Sequence, residues 1–290
     1  MNASDCPIVV PPLAPHKLTV ICLHGRGSCA NKFYEPFLSC PLSDGRTFGQ
    51  ALHDAKLIFP TAPRTRVSKY RRCSIRQWYD GTGDWEPEAR GGMRASVEHI
   101  HALLLQEMAL LDNNGRAVVL VGFSQGCAMA LISLLLWHGQ PLGGFVGLCG
   151  FMPLNTVLMQ ILHHESQHDA DDIVFEDTDG HDVDSSADAD AQMHHATPLV
   201  EAIGELRQEA QLPGHAPPPS MSFVSVPVYL GHGAADDKVD LRYGRGAAAL
   251  LEKMGLMVEF HVYQGQGHCY STEMLDHVIQ FLAKIYGGVP

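Results

Sequence analysis

The sequence lacks the features that mark secreted, membrane-spanning and disulfide-rich proteins. Its eight cysteines are scattered along 290 residues without a Cys-x-x-Cys pair, a pattern typical of reduced thiols rather than of a disulfide framework. No apolar run approaches the roughly 20 residues that a bilayer-spanning helix needs. The first thirteen residues also lack the basic and then apolar pattern of a secretory signal. We therefore expect a cytoplasmic protein without an integral membrane segment.

Positive charge is scarce, with 20 Lys and Arg residues against 32 Asp and Glu residues and a formal net charge of -12. The balance gives no reason to expect a nucleic-acid partner. The acidity is concentrated between residues 155 and 220, where fourteen Asp or Glu residues accompany a single Arg207. The one basic run lies elsewhere, in a loop with six positive charges: Arg64, Arg66, Lys69, Arg71, Arg72 and Arg76. Such runs are often simply solvated, and this alternative stays open.

The stretch 155–220 interrupts the hydrophobic pattern of the chain. It contains repeated Asp-Ala pairs, three consecutive prolines and few apolar residues to offset the entropy of ordering. We predict a disordered or loosely packed insertion in a single domain that spans residues 1–290, with one helix between Thr197 and Leu212. Seven histidines lie in the stretch, at positions 163, 164, 168, 181, 194, 195 and 215. They show no fixed ligand spacing such as His-Glu-x-x-His, so we predict no metal site.

A strand-to-helix turn around Ser124 is the most informative motif. The β-branched run 118–121 leads into Gly122-Phe123-Ser124-Gln125-Gly126, and an apolar, helix-like run follows. This order is typical of a nucleophile elbow, in which a sharp turn exposes a serine. The flanking glycines have a steric reason, because strand and helix approach too closely there for a Cβ. Ser124 is therefore the candidate nucleophile, and Cys127 and Cys29 are weaker alternatives because neither occupies the elbow position.

Strand-like and helix-like segments alternate along the rest of the chain. Predicted strands lie at 18–23, 56–59, 117–121, 143–149, 226–230 and 257–263, and predicted helices lie at 31–38, 47–55, 93–111, 241–254 and 272–286. Such alternation predicts an α/β protein with a mostly parallel central sheet and helices on both faces. Functional loops then follow the carboxyl ends of the strands.

Three of these loops carry the expected partners of Ser124. The turn after the first long strand, His24-Gly25-Arg26-Gly27, is glycine-rich, so the backbone N–H groups of Arg26 and Gln125 are predicted to form an oxyanion hole. His268 follows the last strand and is the predicted base. A carboxylate is expected behind it, and we assign Asp236 in preference to Asp237. Asp240 precedes a helix and is better explained as its N-cap.

Six short stretches occur in a characteristic order: Leu23-His24-Gly25-x-Gly27, Phe59-Pro60-x-Ala62-Pro63, Gln77-Trp78-Tyr79-Asp80, the elbow pentapeptide, His232-Gly233-x-x-Asp236 and His268. Together they resemble the acyl-protein thioesterase, or phospholipase/carboxylesterase, family of α/β-hydrolases. The resemblance covers the chain apart from the insertion. It implies an α/β-hydrolase fold, an acidic triad member at Asp236, and Gln77 and Trp78 near the substrate. For Trp78, core packing remains an equal alternative.

The residues and the resemblance together predict a serine hydrolase without cofactor or metal. It would cleave an acyl ester or thioester through an acyl-enzyme, and its substrate would be an S-acylated protein or a smaller ester such as a lysophospholipid. A second hypothesis is a catalytically idle hydrolase fold that binds partners through the acidic stretch. The sequence does not indicate an oligomeric state.

Overall fold

A seven-stranded sheet forms the centre of the computed structural model, which describes residues 6–66, 74–80, 92–163, 197–213 and 221–287. Its strands are β1 (Ile8–Val10), β2 (Thr19–Leu23), β3 (Lys56–Phe59), β6 (Val118–Phe123), β7 (Gly144–Leu148), β8 (Val228–Gly233) and β9 (Val258–Tyr263). The order across the sheet is β1-β3-β2-β6-β7-β8-β9. All neighbours are parallel except β1, which runs antiparallel to β3. The predicted mostly parallel sheet is confirmed.

A separate two-stranded hairpin leaves the sheet after β3. Its strands, β4 (Arg64–Arg66) and β5 (Ser74–Arg76), pair antiparallel, with Arg64 opposite Arg76. The sequence pattern did not predict this hairpin, because each strand has only three residues and the stretch lacks alternating apolar positions. The hairpin therefore fixes the two ends of the basic run as paired strands.

Helices cover both faces of the sheet. One layer comprises α3 (Arg94–Ala109), α4 (Gln125–Leu135), α5 (Asn155–His163), α6 (Pro198–Glu209) and α7 (Leu241–Lys253). The other comprises α1 (Ala30–Leu38), α2 (Phe48–Ala51) and α8 (Thr272–Tyr286). Among the helices in the described ranges, none combines the length and apolar character that a membrane crossing requires.

The central strands are apolar on both sides because each face meets helices. In β6, Val118 and Leu120 contact one helical layer while Val119 and Val121 contact the other. All four side chains are at most 3% exposed. Successive strand residues point to opposite faces, so a strand that is buried on both sides reads as an unbroken apolar run. β6 lies beside β2, with Leu23 opposite Gly122, and this register places the ends of both strands at the same edge.

The predicted insertion at 155–220 is wrong at its amino-terminal end. Residues 155–163 form α5, and Leu158 and Leu162 are buried in the core. The predicted helix after Thr197 is present as α6, where Ala202, Ile203 and Leu206 are fully buried against the same layer. Both helices use three- and four-residue apolar spacing. The acidic composition of the whole stretch concealed this spacing in α5. Residues 164–196 and 214–220 lie outside the described residues, so disorder there stays a prediction.

Candidate active site

Ser124 occupies the strained turn between β6 and α4. Its backbone has φ 56° and ψ -124°, a conformation that a non-glycine residue rarely adopts. A Cβ on Gly122 would lie 2.5 Å from the Cys127 backbone, and one on Gly126 would lie 2.3 Å from the Leu23 carbonyl oxygen. The two glycines are therefore required by close backbone approach, as the motif predicts. The turn holds the Ser124 hydroxyl at the edge of the sheet, in front of the β6 terminus.

The three residues predicted to act together lie in one hydrogen-bonded chain. His268 Nε2 lies 2.9 Å from Ser124 Oγ, and its Nδ1 lies 2.7 Å from Asp236 Oδ2. A carboxylate accepts only, so Nδ1–H donates to Asp236 and Nε2 is left to accept the serine proton. The side chain of Asp236 has no exposed surface, whereas that of His268 is 16% exposed. Base and nucleophile are therefore accessible while the acid is enclosed.

Asp236 is fixed by the loop that follows β8. Its Oδ1 accepts the backbone N–H groups of Lys238 and Val239, each at 2.9 Å. These bonds stabilise the ionised carboxylate and leave Oδ2 for His268. The neighbouring candidates have other roles. Asp237 is 70% exposed and pairs with Lys238, and Asp240 caps α7 by accepting the Arg242 N–H.

His232 lies beside Asp236 and contacts the loop that carries it. The sequence analysis did not predict it as a site residue. Its Nε2–H donates to the Val239 carbonyl oxygen at 2.8 Å and lies 3.4 Å from Asp236 Oδ2. Burial lowers the pKa of His232, so the neutral ring is favoured. The only sequence signal was its place in His-Gly-x-x-Asp, where the pattern directs attention to the acid.

The two predicted oxyanion donors belong to loops that meet at Ser124. Gln125 is the first residue of α4, and the N–H groups of a first helical turn point outward without intrahelical acceptors. The loop after β2 passes close by, since a Cβ on Gly25 would lie 3.3 Å from the Ser124 Cβ. Arg26 is the next residue in that loop. This juxtaposition supports the predicted oxyanion hole, which stays a prediction.

Gln77 and Trp78, which the resemblance predicts near the substrate, are both buried. Trp78 is 1% exposed, and its indole N–H donates to the His24 carbonyl oxygen at 2.7 Å. Gln77 has no exposed surface and accepts a hydrogen bond from Arg26 Nε at 3.0 Å. The burial of Trp78 agrees with the core-packing alternative, and a place near the substrate stays a prediction for both residues. Both residues hydrogen-bond the loop that follows β2.

The basic run divides into exposed and buried positions. Arg64 and Arg66 lie on β4 and are exposed, whereas Arg76 is buried and donates to the Ala62 carbonyl oxygen at 3.0 Å. The predicted solvated loop therefore does not include Arg76. Lys69, Arg71 and Arg72 lie outside the described residues.

A buried thiol beside the triad was missed by sequence reasoning. Within the described ranges, Cys149, Asp236 and His268 place possible metal-ligand atoms within 4.8 Å of one another. Burial raises the pKa of the Cys149 thiol to about 12, which favours the neutral form rather than the thiolate that binds metals. Asp236 and His268 already bond each other. Cys127 is also buried, and its pKa is raised. Cys29 directly precedes α1. Neither cysteine lies at the elbow position.

The parallel sheet, the strained serine turn and the Ser124–His268–Asp236 chain define an α/β-hydrolase fold. The chain belongs to the phospholipase/carboxylesterase family, whose sequence profile matches residues 4–169 and 202–286. The unmatched residues 170–201 fall within the acidic stretch.

Similar proteins include ones named acyl-protein thioesterase, probable carboxylesterase and probable inactive carboxylesterase. Acyl-protein thioesterase 1 of Gibberella zeae is 26% identical over 287 residues, which cover 96% of this chain and 94% of that protein. A probable inactive carboxylesterase of Oryza sativa is 25% identical over 283 residues, 94% of this chain and 86% of that protein. The crystal structure of Zea mays acyl-protein thioesterase 2 superposes with a TM-score of 0.62 at 22% identity, over 97% of this chain and 98% of that chain. This last likeness supports the fold.

Proposed function

We propose that the protein is a serine hydrolase that cleaves carboxylic esters or thioesters through an acyl-enzyme on Ser124. The observation that carries the proposal is the hydrogen-bonded chain from Ser124 Oγ through His268 to Asp236. A serine hydroxyl is a weak nucleophile, and an adjacent imidazole that accepts its proton makes it reactive. The strained turn and the enclosed carboxylate both serve that arrangement.

The reaction follows from the roles of these groups. His268 Nε2 removes the Ser124 proton as Oγ attacks the acyl carbon, and Asp236 stabilises the imidazolium that forms. The carbonyl oxygen becomes an oxyanion and is held by the N–H groups of Gln125 and Arg26. His268 then protonates the leaving alcohol or thiol. Water, activated by the same imidazole, attacks the acyl-enzyme and releases the carboxylic acid.

A pair of serines, one in the elbow and one on α4, gives a direct test. Ser124→Ala should lower kcat on a p-nitrophenyl ester by roughly 10⁶ and abolish labelling by a fluorophosphonate probe, because the nucleophile is absent. Ser133 lies on α4 and is fully buried, and its hydroxyl donates to the Met129 carbonyl oxygen in the same helix. Ser133→Ala should keep both activities. Turnover or labelling that persists in Ser124→Ala would reject the proposal.

The proposed substrate is an S-acylated protein, with a smaller carboxylic ester or lysophospholipid as the alternative. Relatives named acyl-protein thioesterase support the first choice. The basic hairpin borders the oxyanion loop, because Gly27 N–H donates to the Arg76 carbonyl oxygen at 2.7 Å. Exposed Arg64 and Arg66 lie on this hairpin, where they favour a substrate with acidic neighbours.

A matched substrate series separates these choices. Rates on acyl esters and thioesters of increasing chain length, and on acidic and neutral acylated peptides, are compared between wild type and Arg64→Gln/Arg66→Gln. The proposal expects a higher KM for the acidic peptide alone in the variant, with no change on a neutral p-nitrophenyl ester. If each peptide has the same KM with the variant as with wild type, the hairpin takes no part in substrate selection.

The second candidate is a binding module without catalysis. It is favoured by a relative named probable inactive carboxylesterase and by the acidic stretch that the family profile does not match. Replacement of residues 164–196 by a short Gly-Ser linker tests it, since α5 and α6 contribute core residues and must remain. A hydrolase keeps its rate on a p-nitrophenyl ester after this replacement. An inert wild type would favour the binding module.

A further inference from the structure

Both loops of the predicted oxyanion hole are attached to one segment, Arg76–Tyr79, which we call the tether. On the β2 side, Gly27 N–H donates to the Arg76 carbonyl oxygen at 2.7 Å, and Arg26 Nε donates to Gln77 Oε1 at 3.0 Å. Arg26 carries one of the predicted oxyanion donors. It is held by its own side chain and by the backbone of its neighbour Gly27. The tether thus defines where the β2 loop lies.

The elbow side is attached through a single side chain. Gln125 Oε1 accepts the Trp78 N–H at 3.1 Å, and Gln125 Nε2 donates to the Tyr79 carbonyl oxygen at 3.1 Å. The amide thereby bonds the backbone of two consecutive tether residues, Trp78 and Tyr79. Gln125 is 5% exposed, so these bonds are shielded from water and their loss would leave buried polar groups unpaired. Its backbone N–H is the other predicted oxyanion donor.

The tether is itself fixed to the core. The Trp78 indole donates to the His24 carbonyl oxygen at 2.7 Å, and Ser96 Oγ donates to the Trp78 carbonyl oxygen at 2.5 Å. The Gln77 N–H donates to the Pro63 carbonyl oxygen at 3.2 Å. Trp78 and Tyr79 are at most 3% exposed. A segment bonded on so many sides is a rigid reference for the two loops that it joins.

We propose that Gln125 is a positioning residue. Its side-chain amide holds α4 against the tether and so sets the distance between the two oxyanion donors. The inference rests on the proposed function. Two donors on separate loops stabilise an oxyanion only when both lie about 2.7–3.1 Å from it. A displacement of roughly 1 Å costs on the order of 10² in rate, so the attachment of each loop matters as much as the donors.

The test variant is Gln125→Met, which keeps the length and backbone N–H of Gln125 but removes both bonds to the tether. We expect kcat on a p-nitrophenyl ester to fall by roughly 10- to 100-fold while KM changes less than about twofold. Gln125→Glu is the second variant, since it keeps an acceptor for the Trp78 N–H and loses the donor to Tyr79. Its kcat should fall as well, because a carboxylate then faces a carbonyl oxygen.

A transition-state analogue separates positioning from general damage. Addition of Ser124 Oγ to a trifluoromethyl ketone forms a hemiketal, and the serine proton passes to His268. With ¹³C at the ketone carbon, NMR titration gives the pKa of the hemiketal hydroxyl, which the oxyanion donors lower. In Gln125→Met that pKa should rise by about one unit or more, in step with a tenfold or greater loss of inhibitor affinity.

Thr19→Val is the control for stability. Thr19 is buried at the opposite end of β2, where its hydroxyl donates to Glu107 at 3.1 Å. This variant should unfold at lower urea concentration but keep the wild-type kcat and hemiketal pKa. An unchanged hemiketal pKa in both Gln125 variants, with an active wild type, would overturn the inference and leave the proposed function intact. A wild type that neither hydrolyses esters nor forms the hemiketal would instead reject the function.

Discussion

A Cβ placed on Gly244 would lie only 2.4 Å from Nδ1 of His232. Gly244 lies in the first turns of α7, so this helix leaves room for the imidazole by omitting a side chain. The other ring nitrogen of His232 contacts the Val239 carbonyl oxygen and lies near Asp236. The glycine, the imidazole and the Asp236 carboxylate therefore form a stack in which the position of one determines the next.

Gly244→Ala should destabilise the protein by about 1–3 kcal/mol, because the buried ring and the helix must move apart. We also expect lower kcat, since displacement of His232 disturbs the loop that holds Asp236. Urea unfolding and ester hydrolysis measure the two effects. Gly204→Ala on α6 is the matched control, because nothing lies within 4 Å of its added Cβ. It should gain about 0.5–1 kcal/mol from helix propensity, and equal effects at both positions would contradict the packing argument.

Asp236→Asn and Asp237→Asn should differ sharply although the residues are adjacent. Asp236→Asn replaces the acceptor of the His268 Nδ1–H and favours the wrong tautomer, so kcat should fall by roughly 10⁴. Asp237 is exposed and bonds only Lys238 among the contacts described, so its amide should keep nearly full activity. The pH–rate profile on a p-nitrophenyl ester measures both. A comparable loss in the two variants would remove Asp236 from its assigned role.

The chain order of strands, helices and catalytic loops could be predicted because the signals are local. Parallel strands that are buried on both faces read as apolar runs, and β3 and α8 have the predicted bounds. The glycines at 122 and 126 are required by close backbone approach, to the elbow helix for Gly122 and to the Leu23 carbonyl oxygen for Gly126, so the motif predicted the turn at Ser124. Asp236 was distinguished from Asp240 because an N-cap has its own sequence signature.

The features that could not be predicted from the sequence depend on contacts between distant segments. For Trp78 the sequence left a place near the substrate and core packing as equal alternatives, because the partner of its indole N–H, the His24 carbonyl oxygen, lies 54 positions away. The bonds of Gln125 to the tether span more than 40 positions and have no local pattern. α5 was hidden because the composition of a long acidic stretch outweighed nine residues with helical periodicity. Each failure reflects tertiary packing that local preference does not encode.

His24 should make stability fall on the acid side of neutrality. Burial is the main cause that lowers its pKa to about 4, and Nε2 accepts the Ala62 N–H, which requires the neutral ring. In the unfolded chain the pKa is about 6.5. Between these two values the unfolded state binds a proton that the native state does not. The contribution of neutral His24 is therefore complete above pH 6.5 and is lost progressively as the pH falls towards 4.

A comparison of wild type with His24→Gln isolates this effect, because carboxylates common to both proteins cancel. The destabilisation caused by His24→Gln, measured by urea unfolding, should be smaller at pH 4.5 than at pH 7 by about 2–3 kcal/mol. The cysteine and tyrosine groups whose pKa is raised do not titrate in this range. A difference in stability that is the same at both pH values would show that His24 is not held neutral in the folded protein.

A buried ion pair at the opposite edge of the sheet should control stability without touching catalysis. Lys56 Nζ lies 2.7 Å and 2.8 Å from the two carboxylate oxygens of Glu107, and Thr19 donates to the same carboxylate. The side chain of Glu107 is 2% exposed. Lys56→Met leaves this carboxylate with only the hydroxyl of Thr19, so the free energy of unfolding should fall by about 3–5 kcal/mol.

The double variant Lys56→Met/Glu107→Leu separates the worth of the pair from the cost of a lone charge. It removes both ions, so it should recover most of the stability that Lys56→Met loses. Both residues lie at the amino end of β3 or on α3, away from the strand ends that carry Ser124 and His268. The folded fraction of each variant should therefore keep the wild-type kcat on a p-nitrophenyl ester. A double variant as unstable as Lys56→Met would show that the pair itself stabilises the fold, beyond satisfying a buried carboxylate.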